Sequence, residues 1–144
     1  MTEQQQSGPR PAGWQAEHAR RYIDTNGADG HIWNGAPTLL LTTTGRRSGE
    51  LRTTPLIYGK DGERYLVVAS RGGADQHPQW YLNLVAEPNI EVQVGADRFR
   101  AHARPAAAEE KSVLWRTMTE VWPAYDNYQT RTSRAIPVVI IERR

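Results

Sequence analysis

The sequence predicts an α+β fold, a small barrel of mainly antiparallel strands with helices inserted after strand ends. Three observations carry that expectation. Residues 38–44, 52–58 and 64–70 are β-rich runs linked by short glycine turns. Such turns leave no room for crossover helices, which argues against a doubly wound parallel sheet. Ile90, Val92 and Val94 alternate with Glu91 and Gln93, and Phe99, Ala101 and Ala103 alternate with Arg98, Arg100, His102 and Arg104. That pattern marks two half-exposed strands, paired through Gly95-Ala96-Asp97. Finally, Ile136-Pro137-Val138-Val139-Ile140-Ile141 reads as a last, fully apolar strand.

The elements follow in order. Residues 1–12 are polar and proline-containing, a tail expected to be disordered, with one domain expected over 13–144. From Gly13 to about Asn26, Trp14, His18, Ala19, Tyr22 and Ile23 recur at helical spacing, and Asn26-Gly27 supplies a stop. Residues 29–37 read as loop. After the first two strands, Gly59-Lys60-Asp61-Gly62 reads as a hairpin loop. A short helix around Trp80 ends at the break Glu87-Pro88-Asn89. Pro105 opens a helix to about Val121, with Val113, Leu114, Met118 and Val121 expected on one side, and Pro123 interrupts it. Trp122, Tyr125 and Tyr128 stand three apart, on one face if residues 123–130 are helical.

Composition narrows the function classes. The 144 residues suit a single core, and the net charge of +2 is only mildly basic. Nearly all of the cationic charge is arginine, since Lys60 and Lys111 are the two lysines. That favours forked recognition of phosphate or carboxylate over diffuse attraction to nucleic acid. No apolar run is long enough to span a membrane and no secretory signal is visible, so the cytoplasm is the expected location. Cysteine is absent, which removes disulfides and thiolate chemistry. His18, His31, His77 and His102 are scattered without metal-site spacing, and the plain reading of each is structural or surface. Ser48 and Ser70 sit in no nucleophile elbow, and there is neither a dinucleotide fingerprint nor a Walker loop. A chain with so little acid–base machinery draws its chemistry from a bound cofactor.

Two turns are built to receive an anion. Gly45-Arg46-Arg47-Ser48-Gly49 with Arg52 follows the first strand, and Ser70-Arg71-Gly72-Gly73 follows the third. Glycine lets backbone N–H groups approach oxygen closely, and arginine adds forked donors. A plain hairpin with solvated arginines is the competing reading of the first turn, and core packing competes for Trp80 and Tyr81. Trp122, Tyr125 and Tyr128 could be core as well, but two tyrosines on one stripe need partners for their hydroxyls.

At these residues the sequence resembles the deazaflavin-dependent nitroreductase family. The resemblance lies in Leu40-Leu41-Thr42-Thr43-Thr44-Gly45-Arg46-Arg47-Ser48-Gly49, Arg52-Thr53-Thr54-Pro55-Leu56 and Ala69-Ser70-Arg71-Gly72-Gly73-Ala74. It continues, in matching order and spacing, through Pro78-Gln79-Trp80-Tyr81-Leu82-Asn83-Leu84 and Tyr125-Asp126-Asn127-Tyr128-Gln129. The resemblance implies a split β-barrel like that of FMN-binding proteins, and coenzyme F-420 as hydride carrier. Carried over, Arg46, Arg47, Ser48 and Arg52 would hold the cofactor's phosphate and glutamate tail. Thr53, Thr54, Pro55, Leu56 and Ile57 would line the path to the deazaflavin ring. Val68, Ala69, Ser70 and Arg71 would edge the ring pocket, and Gln79, Trp80, Tyr81, Leu82 and Asn83 would close another side. Tyr125 would sit near ring and substrate, with Tyr128 and Ser70 as polar partners of the substrate. Arg47 and Arg71 stand where the family commonly has lysine, which keeps charge and changes geometry. Trp122 stands where a tyrosine is familiar.

The expectation is thus an oxidoreductase passing a hydride from reduced F-420 to a small electron acceptor, a nitroaromatic, quinone or activated alkene. An FMN enzyme on the same barrel and a non-catalytic deazaflavin carrier are the alternatives. A nucleic-acid module on the Arg98, Arg100, His102 and Arg104 face is the weakest, since a solvated sheet surface explains those residues. No metal is expected. The oligomeric state stays open, with a homodimer among the options.

Overall fold

β2 (Ala36–Thr44) is the spine of the molecule, because it pairs along both edges and is covered on both faces. A computed structural model describes residues 13–144, so the tail expected over 1–12 lies outside the described residues. One edge of β2 takes β3 (Leu51–Ile57), and the other takes β1 (Ile32–Trp33) and, further along, β6 (Asn89–Val94). From β6 the sheet continues through β7 (Asp97–Pro105), β8 (Val138–Arg143), β5 (Arg64–Val68) and β4 (Gly59–Asp61). Every pairing between these strands is antiparallel. The sheet curls into the split β-barrel that the resemblance implied. Four α-helices flank it among the described residues: α1 (Trp14–Asp24), α2 (Gln79–Ala86), α3 (Ala108–Val121) and α4 (Ala124–Thr130).

Burial explains why β2, β5 and β8 read as unbroken apolar runs. Leu39 and Leu41 point into the barrel with Val67, Val139 and Ile141, while Leu40 packs outward on Ala19 and Tyr22 of α1. Leu66, Val68, Val138 and Ile140 face the other way and bury Leu114, Met118 and Tyr125 of α3 and α4. A strand covered on both faces needs apolar residues at every position. β7 keeps the alternation, with Ala101 and Ala103 buried and Arg98, Arg100 and His102 exposed. β6 keeps it except at Gln93, expected on the exposed side and in fact buried, its Nε2 donating to Gly95 O at 3.0 Å. Tyr22 staples α1 in place: its hydroxyl donates to Thr38 O at 2.9 Å and accepts from the Gly95 N–H at 2.7 Å.

Three further expectations are corrected. The segment 29–37 is not all loop, because β1 and the start of β2 form a tight hairpin through Asn34 and Gly35. Both turn residues have positive φ, 49° and 81°, as a primed two-residue turn demands, so the Asn-Gly pair was the available signal. Residues 59–61 form a strand rather than part of a hairpin loop, and the turn falls at Gly62-Glu63. Val113, expected on the packed side of α3, is 65% exposed, whereas Leu114 and Met118 are buried.

Candidate active site

The turn between β2 and β3 holds its shape with its own backbone. The Gly45 N–H donates to Glu50 O at 2.7 Å, the Gly49 N–H donates to Gly45 O at 2.8 Å, and Ser48 Oγ accepts from the Glu50 N–H at 3.1 Å. Gly49 sits at φ 76°, where a side chain would be strained. Arg46 ties this turn to α2. Its backbone N–H and Nη1 both donate to Asn83 Oδ1, at 3.2 and 2.9 Å, and Nη2 donates to Gln79 Oε1 at 2.9 Å. Arg52 pairs with Glu50 at 3.7 Å on the surface, and no hydrogen bond or ion pair engages Arg47 among the described residues. Together with Thr53, Thr54 and Trp80, these groups line a cavity of about 490 Å3. It has cationic donors at one end and amide side chains along one side.

A second cavity, of about 430 Å3, adjoins the first across Thr54, Gln79 and Trp80, which line both. Its floor is Pro55, Leu56 and Ile57 of β3, which are half-buried where the core strands are fully buried. β3 tolerates Pro55 because among the described residues it is an edge strand, paired only with β2. Val68, Ser70 and Arg71 enter from the end of β5, and Trp122, Tyr125 and Tyr128 from the region of α4. The tyrosine stripe is therefore on one helical face, as its spacing predicts.

Tyr125 is 5% exposed, and its hydroxyl has no hydrogen-bond partner among the described residues. Burial pushes its pKa well above the usual tyrosine range, with the neighbouring Tyr128 adding to the shift. The phenol thus stays protonated and has a donor to offer. Tyr128 packs edge-on at 6.1 Å, and its hydroxyl accepts from Trp122 Nε1 at 3.5 Å.

Three expected pocket residues line neither cavity. Ala69 is fully buried in the barrel core, Leu82 is half-buried on α2, and Tyr81 packs its ring 4.7 Å from that of His77. Burial raises the Tyr81 pKa as well. The short amphipathic α2 turns only Gln79, Trp80 and Asn83 toward the cavities.

Other lining residues carried no expectation of a site. Trp14, Gln15 and His18 of α1 and Trp33 of β1 close the second cavity. Trp14 stacks on Trp33 at 6.0 Å, and Trp33 meets Trp122 at 5.6 Å, a three-tryptophan wall gathered from three parts of the chain. The helical pattern placed Trp14, but nothing local told which surface it would meet. Arg134 lies in no motif that the sequence marks. From the connection between α4 and β8 it donates to the carbonyls of Ala69, Ser70 and Ala74 and to His77 Nδ1. Burial, and then the Arg134 charge, hold the His77 pKa below the usual histidine range.

Chemically, this is a trough with an arginine-rich end and a tryptophan- and tyrosine-lined end. It suits a long ligand with an anionic tail and a flat ring. Among the described residues no group of three His, Cys, Asp or Glu side chains could hold a metal ion, and no helix is long and apolar enough to cross a membrane.

The chain is similar to known proteins. A family model described as F-420H(2)-dependent quinone reductase matches residues 14–143. An F-420H(2)-dependent quinone reductase of Mycobacterium tuberculosis is 47% identical over 131 residues, 88% of either chain. A solved F-420-H2 dependent reductase, FDR-A, is 42% identical with a TM-score of 0.69, over 74% of this chain and 94% of its own. A chain solved as a domain-swapped dimer is 38% identical with a TM-score of 0.71, over 92% of this chain and 100% of its own.

Proposed function

The chain belongs to the F-420H(2)-dependent quinone reductase family, and we propose that it reduces a quinone, or a similarly flat electrophile, with coenzyme F-420 as hydride donor. The observation that carries this reading is the pair of adjoining cavities of opposite character that share Thr54, Gln79 and Trp80 as one wall. A cofactor with an anionic tail and a planar ring needs both halves at once. The residues present fit it: among the described residues Arg47 has no competing hydrogen bond or ion pair, and the buried Tyr125 hydroxyl has no partner.

Arg47, Arg52 and the backbone of the 45–49 turn would hold the phosphate and glutamate tail, with Arg46 fixing that turn to α2. Pro55, Leu56, Ile57, Val68 and Trp80 would line the ring. When bound and reduced, the cofactor supplies the hydride. Trp14, Trp33 and Trp122 exclude water from the far side and offer flat faces to a flat acceptor. Tyr125 holds its proton at neutral pH and donates a hydrogen bond to the acceptor oxygen that gains charge. Ser70 and Tyr128 orient that oxygen, and solvent supplies the proton that balances the transfer.

Titrating the purified protein with F-420, FMN and FAD at matched salt tests the reading. F-420 should bind much more tightly than FMN, and reduced F-420 should be consumed only when a quinone is present. Equal or tighter FMN binding would overturn the cofactor assignment, and tight F-420 binding without turnover would favour a carrier. A cytoplasmic location and a homodimer complete the proposal, the latter resting on the relative solved as a domain-swapped dimer and checked by light scattering.

A further inference from the structure

The wall that carries Ser70 and Arg71 is held in an unusual backbone shape from a distance. Between Ser70 and Ala74 the chain passes through three successive residues with positive φ: Arg71 at 46°, Gly72 at 63° and Gly73 at 87°. Glycine adopts this region freely, but Arg71 has a Cβ and does not. Gly73 is also pressed against α4, where an added Cβ would meet Tyr128 O at 2.5 Å. Something must offset the conformational cost at Arg71, and β5 ends too early to do so.

Arg134 grips both sides of this turn. Nη2 donates to Ser70 O at 2.8 Å and Nη1 to Ala69 O at 3.2 Å before it, and Nε donates to Ala74 O at 2.7 Å after it. Nη1 also meets His77 Nδ1 at 3.1 Å, which requires a neutral imidazole with its proton on Nε2. One planar guanidinium thus spans four acceptors, whereas a lysine ammonium is a single point that could reach only part of the set. Neither Arg134 nor His77 is among the described residues that line the two cavities.

We propose that Arg134, with His77 as its fourth acceptor, is a positioning residue. It locks the left-handed turn at 71–73 so that Ser70 and Arg71 face the cavity in the geometry that binding and transfer require. The proposal rests on the reading of that cavity as the site of F-420 and its acceptor.

Arg134→Lys keeps the charge and loses the fork, and His77→Gln keeps an acceptor. Each would be compared with wild type for melting temperature, amide hydrogen exchange over 69–74, F-420 affinity, and kcat and KM for a soluble quinone. Arg134→Lys should exchange at least tenfold faster over 69–74 while remaining folded, bind F-420 about tenfold more weakly, and lose kcat more than it raises the quinone KM. His77→Gln should retain most of the wild-type exchange protection and affinity. Unchanged exchange over 69–74 in folded Arg134→Lys overturns the lock. Faster exchange with wild-type affinity and kcat also overturns the proposal, because the lock would then serve stability alone. If wild-type protein fails to bind F-420, the functional reading and the positioning role both fall, whereas the two preceding outcomes, with wild-type binding intact, sink this proposal alone.

Discussion

Tyr125→Phe separates a catalytic hydroxyl from a core ring. The substitution keeps the aromatic packing against Trp115 and Tyr128, whose ring centroids lie 6.3 and 6.1 Å away. It removes an oxygen that has no protein partner among the described residues, so no buried group is orphaned. The melting temperature should therefore stay level or rise slightly. Had the hydroxyl served the core, its loss would leave a partner unsatisfied at about 1–3 kcal/mol. A cost of that size shifts the midpoint by roughly 2–8 °C per kcal/mol in domains bracketing this length. On the catalytic side, a hydrogen bond to an oxygen gaining charge contributes about 1.5–3 kcal/mol, or roughly ten- to a hundredfold in rate. The assay is stopped-flow oxidation of reduced F-420 by a soluble quinone, with F-420 affinity and melting temperature from the same preparation. We expect kcat to fall by at least about tenfold with affinity nearly unchanged. A destabilised variant with wild-type kcat would refute the reasoning and return Tyr125 to the core.

Three further predictions follow from the same geometry. Arg47→Ala should weaken F-420 binding about tenfold or more with little change in melting temperature, since Arg47 has no hydrogen bond or ion pair to lose among the described residues; fluorescence titration decides it. Trp33→Ala removes the middle of the tryptophan wall and should raise the quinone KM roughly three- to tenfold, at about 0.5–1.5 kcal/mol per aromatic contact, while F-420 affinity stays nearly constant. Glu110 accepts from Arg104 and from the Ala107 N–H, and these bonds pull its pKa from 4.5 to about 2. Because the folded-state value is depressed, this stabilisation is present above 4.5 and is lost as pH falls toward about 2, so Glu110→Gln should flatten the acid limb of melting temperature in that window.

Patterns that act within a few residues were legible before any coordinates. The alternation in β6 and β7, the apolar runs of β2, β5 and β8, the glycine–arginine turn at 45–49 and the three-residue spacing of Trp122, Tyr125 and Tyr128 are all local. Backbone periodicity writes them directly into the order of residues, so both the antiparallel barrel and the tyrosine face could be read. The hairpin at Asn34 and Gly35 is equally local, and its Asn-Gly pair is the signal for it. What the tertiary structure alone settled are meetings across long stretches of chain. Arg46 finds Asn83 at a separation of 37 residues, and Arg134 finds Ser70 at 64. Trp14, Trp33 and Trp122 converge from a helix, a hairpin and the turn before α4. A side chain's donors have no period, and their partner is whichever acceptor the folded barrel brings within about 3 Å. That is why the turn's anchoring, the tryptophan wall and the Arg134 lock had no signature in the order of residues.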